Sequence, residues 1–102
     1  MTRAEILDRA KVCVCGERER DYGKPEDNFA TIGHLWTEYL RGAYPQGLSV
    51  LCAKDVAMMM ALLKVARIAT GSSPDSFVDL AGYAACAGEI TAKLEREATQ
   101  DG

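Results

Sequence analysis

The segment Gly71-Ser72-Ser73-Pro74-Asp75 constrains the fold of this 102-residue chain more than any other feature, because it separates two helices. Glycine commonly ends a helix, Ser73 can cap the next one, and proline and aspartate both suit the first turn of a helix. The pattern therefore predicts one helix from about Leu51 to Thr70 and another from Pro74 to about Glu97.

These two predicted helices differ in character. The helix over Leu51 to Thr70 is apolar on most of its circumference, so we expect it at the centre of the fold or in a subunit interface. The helix that follows contains several alanines together with Gly82 and Gly88, and such small residues permit another helix to pack closely.

Two further helices precede this pair. Thr2 and Glu5 have the spacing of a capping box, so a first helix begins there and ends near Gly16 or a few residues later. Apolar residues at helical spacing predict a second helix from about Glu26 to Arg41, and Trp36 is expected to anchor the core from it.

Chain length limits this arrangement to one domain, because neither half could bury a core alone. We expect an all-α, compact four-helix domain over residues 1–98, a frayed tail over residues 99–102, and association into a homo-oligomer that buries further apolar surface. The net charge of -3 argues against binding to duplex nucleic acid, which needs many contacts from Lys or Arg to phosphate.

The spacing of the cysteines and the hydropathy of the chain argue against a zinc-binding protein and a membrane protein. Cys13, Cys15, Cys52 and Cys86 lack the spacing of a zinc site, so we interpret them as reduced, small buried side chains. The run from Val56 to Leu63 is too short to span a bilayer, and we expect no membrane contact.

Charged residues in the second half are the candidates for chemistry. Lys64 and Arg67 interrupt the apolar third helix, while Asp75, Asp79 and Tyr83 follow one another at four-residue spacing on the fourth. The paired carboxylates could hold a divalent cation, act as acid and base, or hold the side chains of Lys64 and Arg67 in a buried network. The alternative is that these charged side chains are solvated or paired with one another and have no further function.

Four segments of the chain run from Arg18 to Phe29, over Leu35-Trp36, from Asp55 to Arg67, and from Asp75 to Ala85. Together they resemble a family of small bacteriophage and prophage proteins of unassigned function. The same segments are loosely similar to the nucleotide modification associated domains of phage genomes, which implies a nucleotide ligand. By that resemblance the important residues are Arg18, Tyr22, Gly23, Asn28, Trp36, Asp55, Lys64, Arg67, Asp75, Asp79 and Tyr83.

A fainter resemblance is to the MazG group of all-helical nucleotide pyrophosphohydrolases, which implies a MazG-like helical arrangement and a Mg²⁺ site built from paired acids. The pattern here departs from that group, since Ser76 lies three residues before Asp79, and the third helix offers Lys64 and Arg67 instead of glutamates. Fewer acids and more cations weaken a magnesium site and favour direct pairing with phosphate.

Three hypotheses follow from these observations. The preferred one is a homo-oligomer, in the cytoplasm of an infected or lysogenic bacterial cell, that senses or sequesters a nucleotide or nucleotide-derived phosphate without a cofactor. In it Arg18, Lys64 and Arg67 bind phosphate, and Tyr22 or Trp36 stacks on a base. The second is a Mg²⁺-dependent, MazG-like phosphohydrolase using Asp55, Asp75 and Asp79. The third is a structural or partner-binding helical bundle with no small ligand.

Overall fold

The structure, a computed structural model, describes residues 1–17, 20, 23–47, 49–71 and 74–101. These residues form α-helices and no strand, which confirms the predicted all-α class for the described part of the chain. A π-helical stretch over Cys13–Glu17, here called the π-turn, continues the first helix. The helices are α1 (Arg3–Val12), α2 (Pro25–Ala43), α3 (Ala53–Thr70) and α4 (Pro74–Asp101).

The helix ends follow the predicted signals in part. The hydroxyl oxygen of Thr2 accepts a hydrogen bond from the backbone N–H of Glu5 at 3.1 Å, which confirms the cap of α1. α4 begins at Pro74 as predicted, although its predicted cap, Ser73, lies outside the described residues. It continues to Asp101, beyond the predicted end at Glu97 and into the segment for which a frayed tail was expected.

The helices pack side by side in the order α2, α3, α4, α1, and they form one compact domain. α4 has 28 residues and is therefore about 42 Å long, which accounts for the longest dimension of the molecule, 43 Å. α3 lies between α2 and α4, as its apolar circumference predicts, while α1 and the π-turn pack on the other side of α4. The cleft described below lies where the π-turn, α2 and α4 meet.

The hydrophobic core joins α2, α3 and α4. Phe29 is 1% exposed and anchors α2 in this core, whereas Trp36 is only partly buried and packs against the edge. The prediction that Trp36 is the anchor was therefore wrong, because Phe29 packs against Tyr83 of α4 whereas Trp36 borders an open groove beside Met59 of α3. The buried cluster consists of Phe29, Val56, Ala57, Ala61, Tyr83, Cys86, Ala87 and Ile90.

A polar clamp fixes the connection between α2 and α3. The hydroxyl of Thr37 donates to the carbonyl of Gly33 at 2.7 Å and accepts from the backbone N–H of Leu51 at 2.9 Å. A side chain at Gly33 would collide with the carbonyl oxygen of Leu51, so glycine permits this close approach. The clamp positions the start of α3 against the middle of α2.

The cysteines depart from the prediction that all four are buried. All four thiols are free, and Cys13, Cys15 and Cys52 are exposed while Cys86 is buried. The first two lie on the π-turn, and Cys52 precedes α3, where its thiol lies 3.2 Å from the Asp55 carboxylate. Helix ends and turns of this kind face solvent, which explains the exposure.

Candidate functional site

An ion pair connects α3 to α4. The ammonium nitrogen of Lys64 lies 3.0 Å from a carboxylate oxygen of Asp79, and the lysine side chain is 11% exposed against 38% for the aspartate. Lys64 faces inward because it follows Ala57 and Ala61 along the buried side of α3. A nearly buried cation therefore has a carboxylate partner that solvent still reaches.

A small cleft opens beside this ion pair, between the π-turn, the start of α2 and α4. Its cavity volume is about 30 Å³, which is room for one or two water molecules and roughly a tenth of the lower end of the range for small-molecule pockets. The nearly buried rings of Phe29 and Tyr83 form part of its wall, with centroids 6.0 Å apart. The lining residues are Cys13, Val14, Phe29, Val78, Asp79, Gly82, Tyr83 and Cys86.

The sequence shapes this cleft at two positions. A Cβ atom at Gly82 would lie 3.0 Å from a methyl carbon of Val14, so glycine allows the π-turn to approach α4 closely. Gly82 thus serves the close packing predicted for the small residues of this helix, whereas Gly88 is exposed with nothing within 4 Å. Among these lining side chains, Asp79 carries the one formal charge at neutral pH.

The predicted stack of Asp75, Asp79 and Tyr83 is not one continuous face. Asp79 and buried Tyr83 both line the cleft, but Asp75 is exposed and lies 3.6 Å from Arg9 of α1. A four-residue step rotates a helical position by about 40°, so two steps turn the side chain by about 80°. That rotation places Asp75 over α1 and Tyr83 against Phe29.

The other predicted site residues are dispersed. Arg67 is exposed one turn beyond Lys64, and Asn28 is partly buried next to Phe29. Gly23 has a φ of 78°, a left-handed conformation that favours glycine, just before α2. Arg18 and Tyr22 lie outside the described residues, within the segment that links the π-turn to α2.

Trp36 does not line the cleft. It lies in a separate apolar groove between α2 and α3, together with Tyr39, Leu40 and Met59. The structure therefore separates Trp36 from Lys64 and Asp79, which the sequence grouped as one site. Phe29 of α2 and Cys13 and Val14 of the π-turn line the cleft instead, and their helical spacing in the sequence indicated core packing rather than a site.

The three acids of the hydrolase hypothesis, Asp55, Asp75 and Asp79, each contact a different partner in a different part of the fold. Asp55 belongs to a capping box at the start of α3, where the backbone N–H of Cys52 donates to its carboxylate at 3.0 Å. This hydrogen bond, together with the one from the Cys52 thiol, lowers the pKa of Asp55. Asp75 pairs with Arg9 and Asp79 with Lys64. Within the described ranges, no three His, Cys, Asp or Glu side chains gather as a metal site.

A second ion pair lies at the other end of α4. The Lys93 ammonium donates a hydrogen bond to the Glu26 carboxylate at 2.8 Å, joining α4 to the start of α2. This bond lowers the pKa of Glu26 and raises the pKa of Lys93. The sequence offered no signal for the pair, because its members are 67 residues apart.

The geometry defines the class of protein: an all-α domain with a small, partly aromatic cleft beside a nearly buried cation. The chain belongs to the family described as Domain of unknown function (DUF6378), which matches residues 5–91. This agrees with the predicted resemblance to small phage proteins of unassigned function.

Two relatives are bacteriophage proteins. The chain is 41% identical over 86 residues to the Gene 55 protein of Mycobacterium phage D29, covering 83% of this chain and 52% of that protein. It is 42% identical over 80 residues to the Gene 55 protein of Mycobacterium phage L5, covering 78% of this chain and 47% of that protein. The chain thus spans about half the length of these relatives.

No solved structure matches the chain. In the part of the chain that the structure describes, none of the helices combines the length and apolar character needed to cross a membrane. α3 falls short because Lys54, Asp55, Lys64 and Arg67 interrupt its apolar surface.

Proposed function

We propose that the protein binds a nucleotide or nucleotide-derived phosphate ligand at the cleft between the π-turn, α2 and α4. The observation that carries this proposal is the Asp79 carboxylate, which lies in the wall of an otherwise apolar and aromatic cleft with the nearly buried Lys64 ammonium behind it. Pockets for small ligands combine an apolar lining with a few polar groups of this kind.

In this proposal the sugar, the base and the phosphate groups of the ligand contact different residues. Asp79 has two carboxylate oxygens, of which one faces Lys64, so the other is available to accept a hydrogen bond from a sugar hydroxyl or a base N–H. Phe29 is 1% and Tyr83 7% exposed, so the cleft would have to widen for a nucleoside to pack against their rings. Lys64 does not line the cleft, and its ammonium would act through Asp79 by holding that carboxylate in place.

Phosphate groups would extend toward the solvent side of the cleft. Arg67 is exposed one turn beyond Lys64 on α3, and an arginine can bind phosphate oxygens with two parallel hydrogen bonds. Arg18 and Tyr22 lie outside the described residues, and we assign them to phosphate and base contacts from the resemblance alone.

The biological role that fits this binding is the sensing or sequestration of a signalling nucleotide. Both relatives are phage proteins, and we place this protein in the cytoplasm of an infected or lysogenic bacterial cell, where it meets the nucleotides of the host. Sequestration requires a binding site and no catalytic group, which agrees with the dispersed positions of Asp55, Asp75 and Asp79.

Thermal-shift screening and calorimetry against AMP, ADP, ATP and cyclic nucleotides test this proposal. A ligand at about 100 times its Kd stabilises a protein by about 2.7 kcal/mol, which raises the Tm of a domain this small by roughly 10 °C or more. We expect Asp79→Asn to weaken nucleoside binding, and Arg67→Ala to weaken nucleotides while leaving nucleosides unaffected.

Lys93→Met is the matched control, because it breaks the other ion pair of α4 about 21 Å along the helix from Asp79. It should lower stability without changing affinity. An absence of stabilisation by every nucleotide would refute the proposal, as would equal losses of affinity in Asp79→Asn and Lys93→Met.

The second candidate is a structural or partner-binding bundle, and the Lys64 to Asp79 contact itself favours it. In that case the pair fixes the register of α3 against α4, and the cleft is a packing defect. Charge-neutral replacement of both residues should then alter folding and leave every nucleotide without effect. The predicted homo-oligomer is compatible with both candidates.

A further inference from the structure

We infer that the outer face of α3, formed by Met58, Leu62, Val65, Ala66 and Ala69, is the contact surface between two copies of this chain packed antiparallel. This inference does not depend on nucleotide binding, because the outer face points away from the buried side of α3, where Lys64 lies. It begins from the distribution of apolar side chains around that helix.

A surface helix normally presents polar residues to solvent on the side opposite its core. In α3 this side is apolar: Leu62 is 65% exposed, Met58 47% and Val65 46%. No charged residue occurs between Val56 and Leu63. A stretch that is apolar all round, as Val56 to Leu63 is, is typical of a buried position, so one chain leaves this part of α3 half covered.

The whole chain exposes more surface than is typical for its mass. A folded monomer of 11.1 kDa typically exposes about 5,700 Å², whereas this chain exposes 7183 Å². The radius of gyration, 15.2 Å, likewise exceeds the roughly 13 Å typical of 100 residues. The excess of about 1,500 Å² is spread over the whole molecule, and the roughly 800 Å² that each partner contributes to a stable interface fits within it.

The spacing of the exposed residues favours a second copy over an unrelated partner. Positions 58, 62, 65 and 69 alternate steps of four and three, which is the spacing of a coiled-coil seam. A two-fold axis between Leu62 and Val65 places Met58 against Ala69 of the partner subunit and Leu62 against Val65 of the partner subunit. Large side chains then face smaller ones, so the surface is complementary to itself.

Neighbouring features enlarge this surface on the side of α2. The groove formed by Trp36, Tyr39, Leu40 and Met59 is apolar and lies directly beside the outer face. Tyr39 is 74% exposed there and extends the exposed apolar surface beside the groove. A partner helix lying along α3 would also cover this groove, and so account for the exposed Tyr39.

Sedimentation equilibrium and light scattering of the full chain test the inference. We expect a mass twice that of one chain for the wild type, and a shift to the monomer in Leu62→Lys or Val65→Lys with helical circular dichroism retained. Leu7→Lys is the matched control, since Leu7 is 63% exposed on α1, far from the outer face, and should leave the dimer intact.

The antiparallel register has its own test. In Leu62→Glu combined with Val65→Lys, each new carboxylate meets a new ammonium across the two-fold axis, so the double variant should recover dimerisation that either single variant loses. In a parallel pair, like charges would meet and no recovery would occur. A monomeric wild type, equal behaviour of Leu62→Lys and Leu7→Lys, or failure of the double variant to recover would overturn the inference.

Discussion

Lys64 and Asp79 form an unequal pair: the cation is 11% exposed and its carboxylate partner, 3.0 Å away, is 38% exposed. Removing the acid leaves a nearly buried charge without compensation, whereas removing a solvent-exposed acid does not. The loss of stability on replacing an acid of α4 should therefore depend on how buried its cationic partner is.

Asp79→Asn should therefore destabilise the protein more than Asp75→Asn. We expect a loss of about 1–3 kcal/mol in the free energy of unfolding for Asp79→Asn, below the full cost of breaking a buried pair because solvent still reaches the carboxylate. Asp75 is 75% exposed and 3.6 Å from Arg9, so its loss should be about 0–1 kcal/mol. Urea denaturation of both variants measures the difference, and equal losses would contradict the asymmetry.

Gly33→Ala should destabilise the protein although alanine is the better helix former. The added methyl group would collide with the carbonyl oxygen of Leu51 and lie 3.2 Å from its carbonyl carbon. Overpacking of this kind costs about 1–3 kcal/mol, which outweighs a helix-propensity gain of up to about 1 kcal/mol. Gly42→Ala is the control in the same helix, since nothing lies within 4 Å of that position. We expect thermal unfolding to show a lower Tm for Gly33→Ala and an unchanged or higher Tm for Gly42→Ala.

Thr37→Val should remove the clamp between α2 and α3. The variant keeps the shape of the side chain but deprives the Leu51 N–H of its acceptor, at a cost of about 1–3 kcal/mol. Thr37→Ser keeps the hydroxyl and should retain most of the stability. Hydrogen exchange at the Leu51 amide provides a local measurement: exchange should accelerate in Thr37→Val and stay slow in Thr37→Ser. Fast exchange in both would indicate that the hydroxyl does not hold this amide.

Local signals predicted the parts of the fold that depend on neighbouring residues. Thr2 and Pro74 mark helix starts because caps act over one turn, and Lys64 could be matched to the acids of α4 because a short connection joins the two helices. Trp36 was misplaced because its burial depends on how α2 crosses α3, which the Gly33 to Leu51 contact sets. The Glu26 to Lys93 pair and the cleft at Gly82 depend on long-range packing that no local pattern records.

Acid should weaken the contact between α2 and α4 through Glu26. Its pKa is lowered from 4.5, chiefly because Lys93 donates a hydrogen bond to it, so the folded state binds a proton less readily than the unfolded chain. The resulting stabilisation is complete above the unfolded pKa and is lost as the pH falls through the lowered folded pKa. The raised pKa of Lys93 has the opposite consequence: its contribution is complete below 10.5 and is lost as the pH rises through the folded value.

A comparison of wild type with Glu26→Gln isolates this effect. The glutamine cannot ionise, so the variant should be less stable at neutral pH and the two proteins should converge in Tm between neutral pH and about pH 3. The lowered pKa of Asp55 contributes acid sensitivity to both proteins alike and cancels in the difference. A constant difference in Tm across this range would mean that the charge of Glu26 does not stabilise the fold.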